Sequence, residues 1–241
     1  MKYFVQFQIN IFAVVILIVL YVIIREKSKV DSFGKRLLKA VMFVTSVAII
    51  MEPLTWIFDG ASFFGAYYLE YASNFILFLV GPILCGLMLS YVDYHIFKEP
   101  GRLFKKRFYM DLSILTLGIL IFNFFKLVYF AIDKTTNQFS SGNFKWFHYA
   151  IITSIYLFMI CFVVKNRSKT HQYVVNIFLV FFGLPILGMF VQMFDSKLYF
   201  SWTSIVLAIL VVYIFLETSS NEQDYLTKLY NRQSYEIYLH H

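Results

Sequence analysis

Two cysteines, four prolines and ten glycines in 241 residues rule out several ways of building a protein. Cys85 and Cys161 offer no spacing for a disulfide framework or a Cys/His metal site. Both lie inside apolar runs, where a thiol behaves as a small hydrophobe. No Pro-, Gly- or Ser-rich tract divides the chain into soluble domains. Charge is scarce as well: 15% of the residues are charged against 60% hydrophobic, with 29 Phe and 18 Tyr. A soluble domain carries about 25% charged residues, so the composition argues for a membrane protein.

What is present is a series of long apolar runs. Crossing about 30 Å of hydrocarbon takes roughly 20 helical residues, and such runs fall near 4–24, 37–58, 67–96, 108–132, 148–164, 173–194 and 199–217. The first has no small-residue cleavage site and continues into Arg25-Glu26-Lys27, so it reads as a helix and not as a signal peptide. The expectation is an all-α integral membrane protein of about seven transmembrane helices.

Basic residues set its orientation, because Lys and Arg flanking membrane helices stay cytoplasmic. Arg25, Lys27, Lys29, Lys35 and Arg36 follow run 1; Lys98, Arg102, Lys105, Lys106 and Arg107 follow run 3; Lys165, Arg167 and Lys169 follow run 5. The N-terminus and the other connections hold only Lys2, Lys134, Lys145 and Lys197. The N-terminus is therefore expected outside and the C-terminus in the cytoplasm. The net charge of +7 then reflects this bias and attraction to anionic lipid, not nucleic-acid binding. Trp56, Trp146 and Trp202 fall at the outer ends of their runs, as an aromatic belt requires, with a pocket role for Trp56 or Trp202 as the alternative. The polar connection 133–146 reads as a lid over an outer cavity.

Polar groups within apolar runs cost a few kcal/mol unless paired or hydrated, and so point to function. Glu52 precedes Asp59 by seven residues and Lys126 precedes Asp133 by seven, which places both about 10 Å below the outer surface if each run is one helix. Glu70 and Asn74, Asn123 and Lys126, and Glu52 and Trp56 share helix faces by their spacing, and Gln192 sits at similar depth. Three readings stand: these residues line an outward-facing pocket for a small polar molecule, Glu52 and Lys126 form an interhelical ion pair, or the set forms an ion pathway. Pro53 and Pro185 lie inside helices and offer bends for signal transmission.

The last segment carries the most specific signal. Asp224-Tyr225-Leu226-Thr227-Lys228-Leu229-Tyr230-Asn231-Arg232 resembles the D-x-L-T-x-L-x-N-R signature that opens GGDEF domains, the diguanylate cyclase fold, with Tyr235 and Leu239 continuing its apolar positions. Lys228 stands where the family most often has Gly. The resemblance implies a membrane sensor at 1–217, and a cytoplasmic linker and the beginning of a cyclase domain at 218–239, while the terminal His240-His241 reads as the start of an affinity tag. It assigns Asp224, Asn231 and Arg232 to transmission, and it implies that the parent protein uses GTP and magnesium to make cyclic di-GMP. This segment, without the family's catalytic residues, is expected to be inactive and cofactor-free. Expected partners are the bilayer, an unidentified small-molecule ligand and a second copy in a homodimer, in a bacterial plasma membrane. A small-solute transporter or channel is the alternative.

Overall fold

The computed structural model describes residues 4–27, 32–194 and 201–217. Asp224, Asn231 and Arg232, expected from the sequence to serve transmission, lie outside them with all of 218–241, as does the side chain of Gln192. Helices α1 (Phe4–Lys27), α2 (Phe33–Phe58), α3 (Ala66–Phe97), α6 (Lys145–Lys165) and α7 (Gln172–Phe194) follow the apolar runs, and five spans within them are long and apolar enough to cross a membrane. Shorter helices are α4 (Pro100–Lys105), α5 (Asp111–Phe122) and α8 (Ser201–Val212), the last continuing as a π turn over Tyr213–Glu217. Ser32 starts α2 by accepting from the Lys35 N–H at 3.3 Å, and Pro100 starts α4, where its missing N–H costs nothing.

The main core joins α1, α2, α3, α6, α7 and α8, with Tyr91, Phe178, Phe181 and Phe182 fully buried. The opposite faces carry Phe12, Ile18, Phe43, Leu157 and Leu187 in the open. Apolar side chains turned outward on this scale suit lipid rather than water.

The fourth run departs from expectation. The single helix anticipated over 108–132 is interrupted: α5 stops at Phe122 after 12 residues, about 18 Å, and the chain turns into a hairpin of β1 (Phe130–Ile132) and β2 (Phe139–Ser141). Asn123 is the reason. Fully buried, its Oδ1 accepts the N–H groups of Val128 and Tyr129 at 2.8 Å and of Phe130 at 3.4 Å. Its Nδ2 donates to the Phe130 carbonyl at 3.0 Å and to the Tyr71 hydroxyl at 3.2 Å. One amide thus supplies the backbone partners that a continued helix would have supplied.

The hairpin packs inward as a second core, with Phe78, Leu120, Tyr129, Phe130 and Ile132 buried together. It is also fastened to the α2–α3 connection. Asn137 donates through Nδ2 to the carbonyls of Phe58 at 2.7 Å and Ala61 at 3.2 Å, and the Phe139 N–H donates to Asp59 at 2.9 Å. Within the loop, Asp133 accepts from the Thr135 and Thr136 N–H groups at 2.8 Å each. These bonds and the Thr135 hydroxyl hold its carboxyl down at about 2.

At the other end of the bundle, Arg107, Phe108 and Tyr109 form a left-handed turn with φ of 48°, 53° and 56°. Such a conformation costs about 1–2 kcal/mol per residue. Ser90 holds it, donating to the Phe108 carbonyl at 2.9 Å. Gly86 admits it, since a Cβ there would stand 2.9 Å from the Tyr109 carbonyl oxygen.

Replacing Asn123 with Ala strands three N–H groups and a carbonyl, and is expected to cost about 2–4 kcal/mol. Thermal unfolding in detergent checks this, and an unchanged melting temperature would contradict it. Because the Asp133 carboxyl is held below its ordinary 3.8, its contribution is complete above about pH 4 and disappears as pH falls through about 2. Hydrogen exchange at Thr135 and Thr136 should therefore stay protected at pH 5 and lose protection in that lower window.

Candidate functional site

The interrupted fourth run rearranges the expected site. Lys126 lies in the turn after α5 and is exposed, because the helix that would have carried it inward ends at Phe122. Among the described residues no ion pair joins it to Glu52. Asn123, grouped with Lys126 on a helix face by its spacing, is instead the staple of the hairpin.

Glu52 is 6% exposed and has neutral partners. Asn10 of α1 donates to its Oε2 at 3.5 Å, and the Trp202 side chain of α8 lies close to the same carboxyl. The node thus joins three helices, and Pro53, also buried, follows directly. Trp56 is half-buried on the next turn. Beside the node runs an apolar crevice of about 370 Å³ between α1 and α8, lined by Ile9, Phe12, Ala13, Ile16, Thr203 and Leu207 among others. Asn10 interrupts that lining on α1, and Trp202 immediately precedes Thr203 on α8. A carboxyl flanked by an amide donor and an indole beside an apolar slot is the pattern of a site for an amphipathic molecule.

Glu70 is fully buried on α3, and neither of its carboxyl oxygens has a hydrogen-bond partner among the described residues. The nearby charge of Asp59 has the same sign and does not help it. Asn74, spaced to share its face, donates to the Glu70 backbone carbonyl at 3.0 Å and leaves the carboxyl alone. A buried carboxyl without partners is an incomplete polar site. Gln192 lies within α7 and Pro185 is buried in the same helix.

A cluster at the basic end was missed. Asp93, fully buried on α3, accepts from Arg102 Nε at 3.0 Å through both oxygens and from the Tyr109 hydroxyl. Lys106 Nζ donates to the same hydroxyl at 3.0 Å, and the Arg102 guanidinium lies 3.8 Å from the Phe97 ring centroid. Burial would lower the Arg102 pKa, but Asp93 outweighs it and the net movement is upward. Burial and then the Asp93 bond both raise the Tyr109 hydroxyl, while burial and Arg102 lower Lys106. The sequence signal was a lone Asp within the last turn of an apolar run, nine residues before an Arg.

No family model matches the chain, and comparison with curated proteins finds no match.

Replacing Asp93 with Ala leaves Arg102 and Tyr109 without their acceptor. Because Arg102 is 30% exposed, the expected loss is about 2–4 kcal/mol, toward the lower end of that for broken buried pairs. Thermal melts should show it, while Lys105→Gln, at an exposed position, stays within about 0.5 kcal/mol of the parent.

Proposed function

We propose that the chain is the membrane input module of a signalling protein, whose C-terminal continuation from Asp224 is a diguanylate cyclase using GTP and magnesium to make cyclic di-GMP. In this reading seven segments cross a bacterial plasma membrane, the fourth through α5 and the docked hairpin, with the N-terminus outside and the C-terminus in the cytoplasm. The protein works as a homodimer, because two cyclase domains must meet around their substrates. The stimulus is a small molecule reaching the hairpin end from outside or from the lipid.

The observation that carries the proposal is the Glu52 node. It ties α8, the helix leading toward the GGDEF-like segment, to α1 and α2 beside an apolar crevice. A molecule entering that crevice with a hydrogen-bonding head can exchange partners with Asn10, Glu52 or Trp202, and so change how α8 is held. Such a ligand biases the output only by its difference in affinity for the two arrangements. The π turn at Tyr213–Glu217 supports a functional role for this end of α8, since such turns occur frequently at functional sites.

The transporter reading retains one specific support, the interrupted fourth run, since broken helices near buried polar groups also build solute sites.

The deciding measurement is GTP conversion to cyclic di-GMP by the native full-length protein in vesicles, for the parent and Glu52→Gln. The expected result is turnover that changes about fivefold or more with the substitution, the lower range of ordinary coupling, at unchanged melting temperature. Absence of turnover from folded protein would sink the cyclase reading, and solute uptake by the same vesicles would install the transporter.

A further inference from the structure

At the basic end a groove of about 470 Å³ opens between the C-terminus of α3 and the α6–α7 connection. Among the described residues its polar lining is His95, Lys98, Ser168, Lys169, Thr170 and His171, with no carboxylate. Of the acids nearest in the chain, Asp93 is engaged by Arg102 and Tyr109, and Glu99 is not part of the lining.

The cations of the groove are held in place. Lys169 Nζ stands 4.5 Å from the Phe97 ring centroid and Lys98 Nζ 5.8 Å from that of Tyr94. His95 Nδ1 lies 2.9 Å from the Tyr91 carbonyl, which accepts only, so this nitrogen bears the hydrogen. His95 is wedged against Gly34 of α2, where a Cβ would come within 3.0 Å of its ring. The 23-residue α7 begins at Gln172, directly after the lining residue His171. The His171 carbonyl accepts the N–H groups of Val174 and Val175 at 3.0 and 3.2 Å, and the start of the helix adds partial positive charge at the same place.

The groove also lies at a particular depth. Tyr173, 54% exposed and stacked on His171, and the half-buried Tyr94 flank it. Tyrosines with an apolar body and a polar tip settle at the headgroup boundary. Lysines that serve topology alone need only reach that boundary. They do not need a concavity with two hydroxyls, two imidazoles and a helix N-terminus converging on it.

We propose that this groove is a binding site for a phosphate group carried by an anionic lipid headgroup, seated between Lys98 and Lys169 over the start of α7. Ser168 and Thr170 offer hydroxyl donors to the phosphate oxygens, and the acyl chains lie along the apolar exterior. A lipid held there would bridge α3 to α7 and make the bundle sensitive to the anionic content of its membrane.

The test uses the full chain. Detergent-solubilised protein is equilibrated with mixed micelles of phosphatidylcholine and phosphatidylglycerol, and retained lipid is counted by native mass spectrometry. The parent should keep about one phosphatidylglycerol in preference to phosphatidylcholine. The pair Lys98→Asn and Lys169→Gln should lower that affinity about tenfold or more, since each basic residue near a headgroup contributes about 1 kcal/mol. Asn is chosen at Lys98 because that residue has φ of 57°, which Asn tolerates. The pair Lys105→Gln and Lys165→Gln removes the same charge from exposed positions outside the lining, and should leave retention unchanged. Equal loss in both pairs, or no preference in the parent, overturns the site. Millimolar inorganic phosphate that displaces the lipid from the parent, but does not bind the variant carrying Lys98→Asn and Lys169→Gln, confirms the phosphate chemistry and adds a soluble source. Both lysines are exposed, so a melt matching the parent separates lost binding from lost folding.

Discussion

Hydrocarbon offers no hydrogen bonds, and every backbone group placed in it must find a partner within the protein. Most of this chain meets that requirement with long helices. The exception is the segment after Phe122, where the helical ladder ends while the chain still packs against the flank of α3 at Tyr71, Phe75 and Phe78. Asn123 makes that ending possible. Its amide takes over three N–H groups and one carbonyl, and the aromatic side chains released by the turn then fill the space that two further turns of helix would have occupied. The hairpin, its fastening to Asp59 and Phe58, and the exposed place of Lys126 all follow from this one side chain.

The same accounting separates the buried acids. Asp93 is balanced by a guanidinium, a phenol and, through the phenol, an ammonium. Among the described residues Glu52 accepts from the neutral amide of Asn10 beside Trp202, and Glu70 has no side-chain partner. A fully paired carboxylate is costly to disturb and serves as an anchor. A carboxyl held by neutral donors can trade one for another at small cost, which is the property that a ligand-responsive contact needs. That contrast, and not charge pairing across helices 2 and 4 of the expected scheme, distinguishes the hairpin end from the basic end.

The long helices were legible because length and apolar content suffice to define them, and α1, α2, α3, α6 and α7 begin and end within a few residues of the apolar runs. The fourth run was misread because hydropathy does not distinguish a helix from a buried turn with strands. Val128-Tyr129-Phe130-Ala131-Ile132 is as apolar as any helix here, yet its aromatic and β-branched residues favour extended backbone. An Asn followed by such a stretch was the available clue. Depth arguments built on an unbroken helix do not carry over to Lys126, which follows the end of α5 and is exposed, while Glu52 sits buried on a helix that does continue. Its neighbours Asn10 and Trp202 could not be read, because they are 42 and 150 residues away in the chain. The left-handed turn at Arg107–Tyr109 had no signal in its own residues, none of which is Gly; the permissive glycine is Gly86, on the neighbouring helix.

α3 connects these features physically. Its 32 residues span about 48 Å, and it bears Glu70 near the hairpin and Asp93 near the basic groove. Pro82, buried between them, removes one bond of the ladder and weakens the helix at a point where it is enclosed on both sides. A change in how the hairpin end is packed would reach Asp93 as a tilt of the lower half of α3. Beneath Asp93 sits the left-handed turn, which Ser90 and Tyr109 hold against its own preference for right-handed backbone. Conformational strain restrained by two hydrogen bonds from one helix responds to small movements of that helix. The basic end is therefore constructed so that α3 has to remain in register for the turn to persist, and α3 is the element on which both polar ends converge.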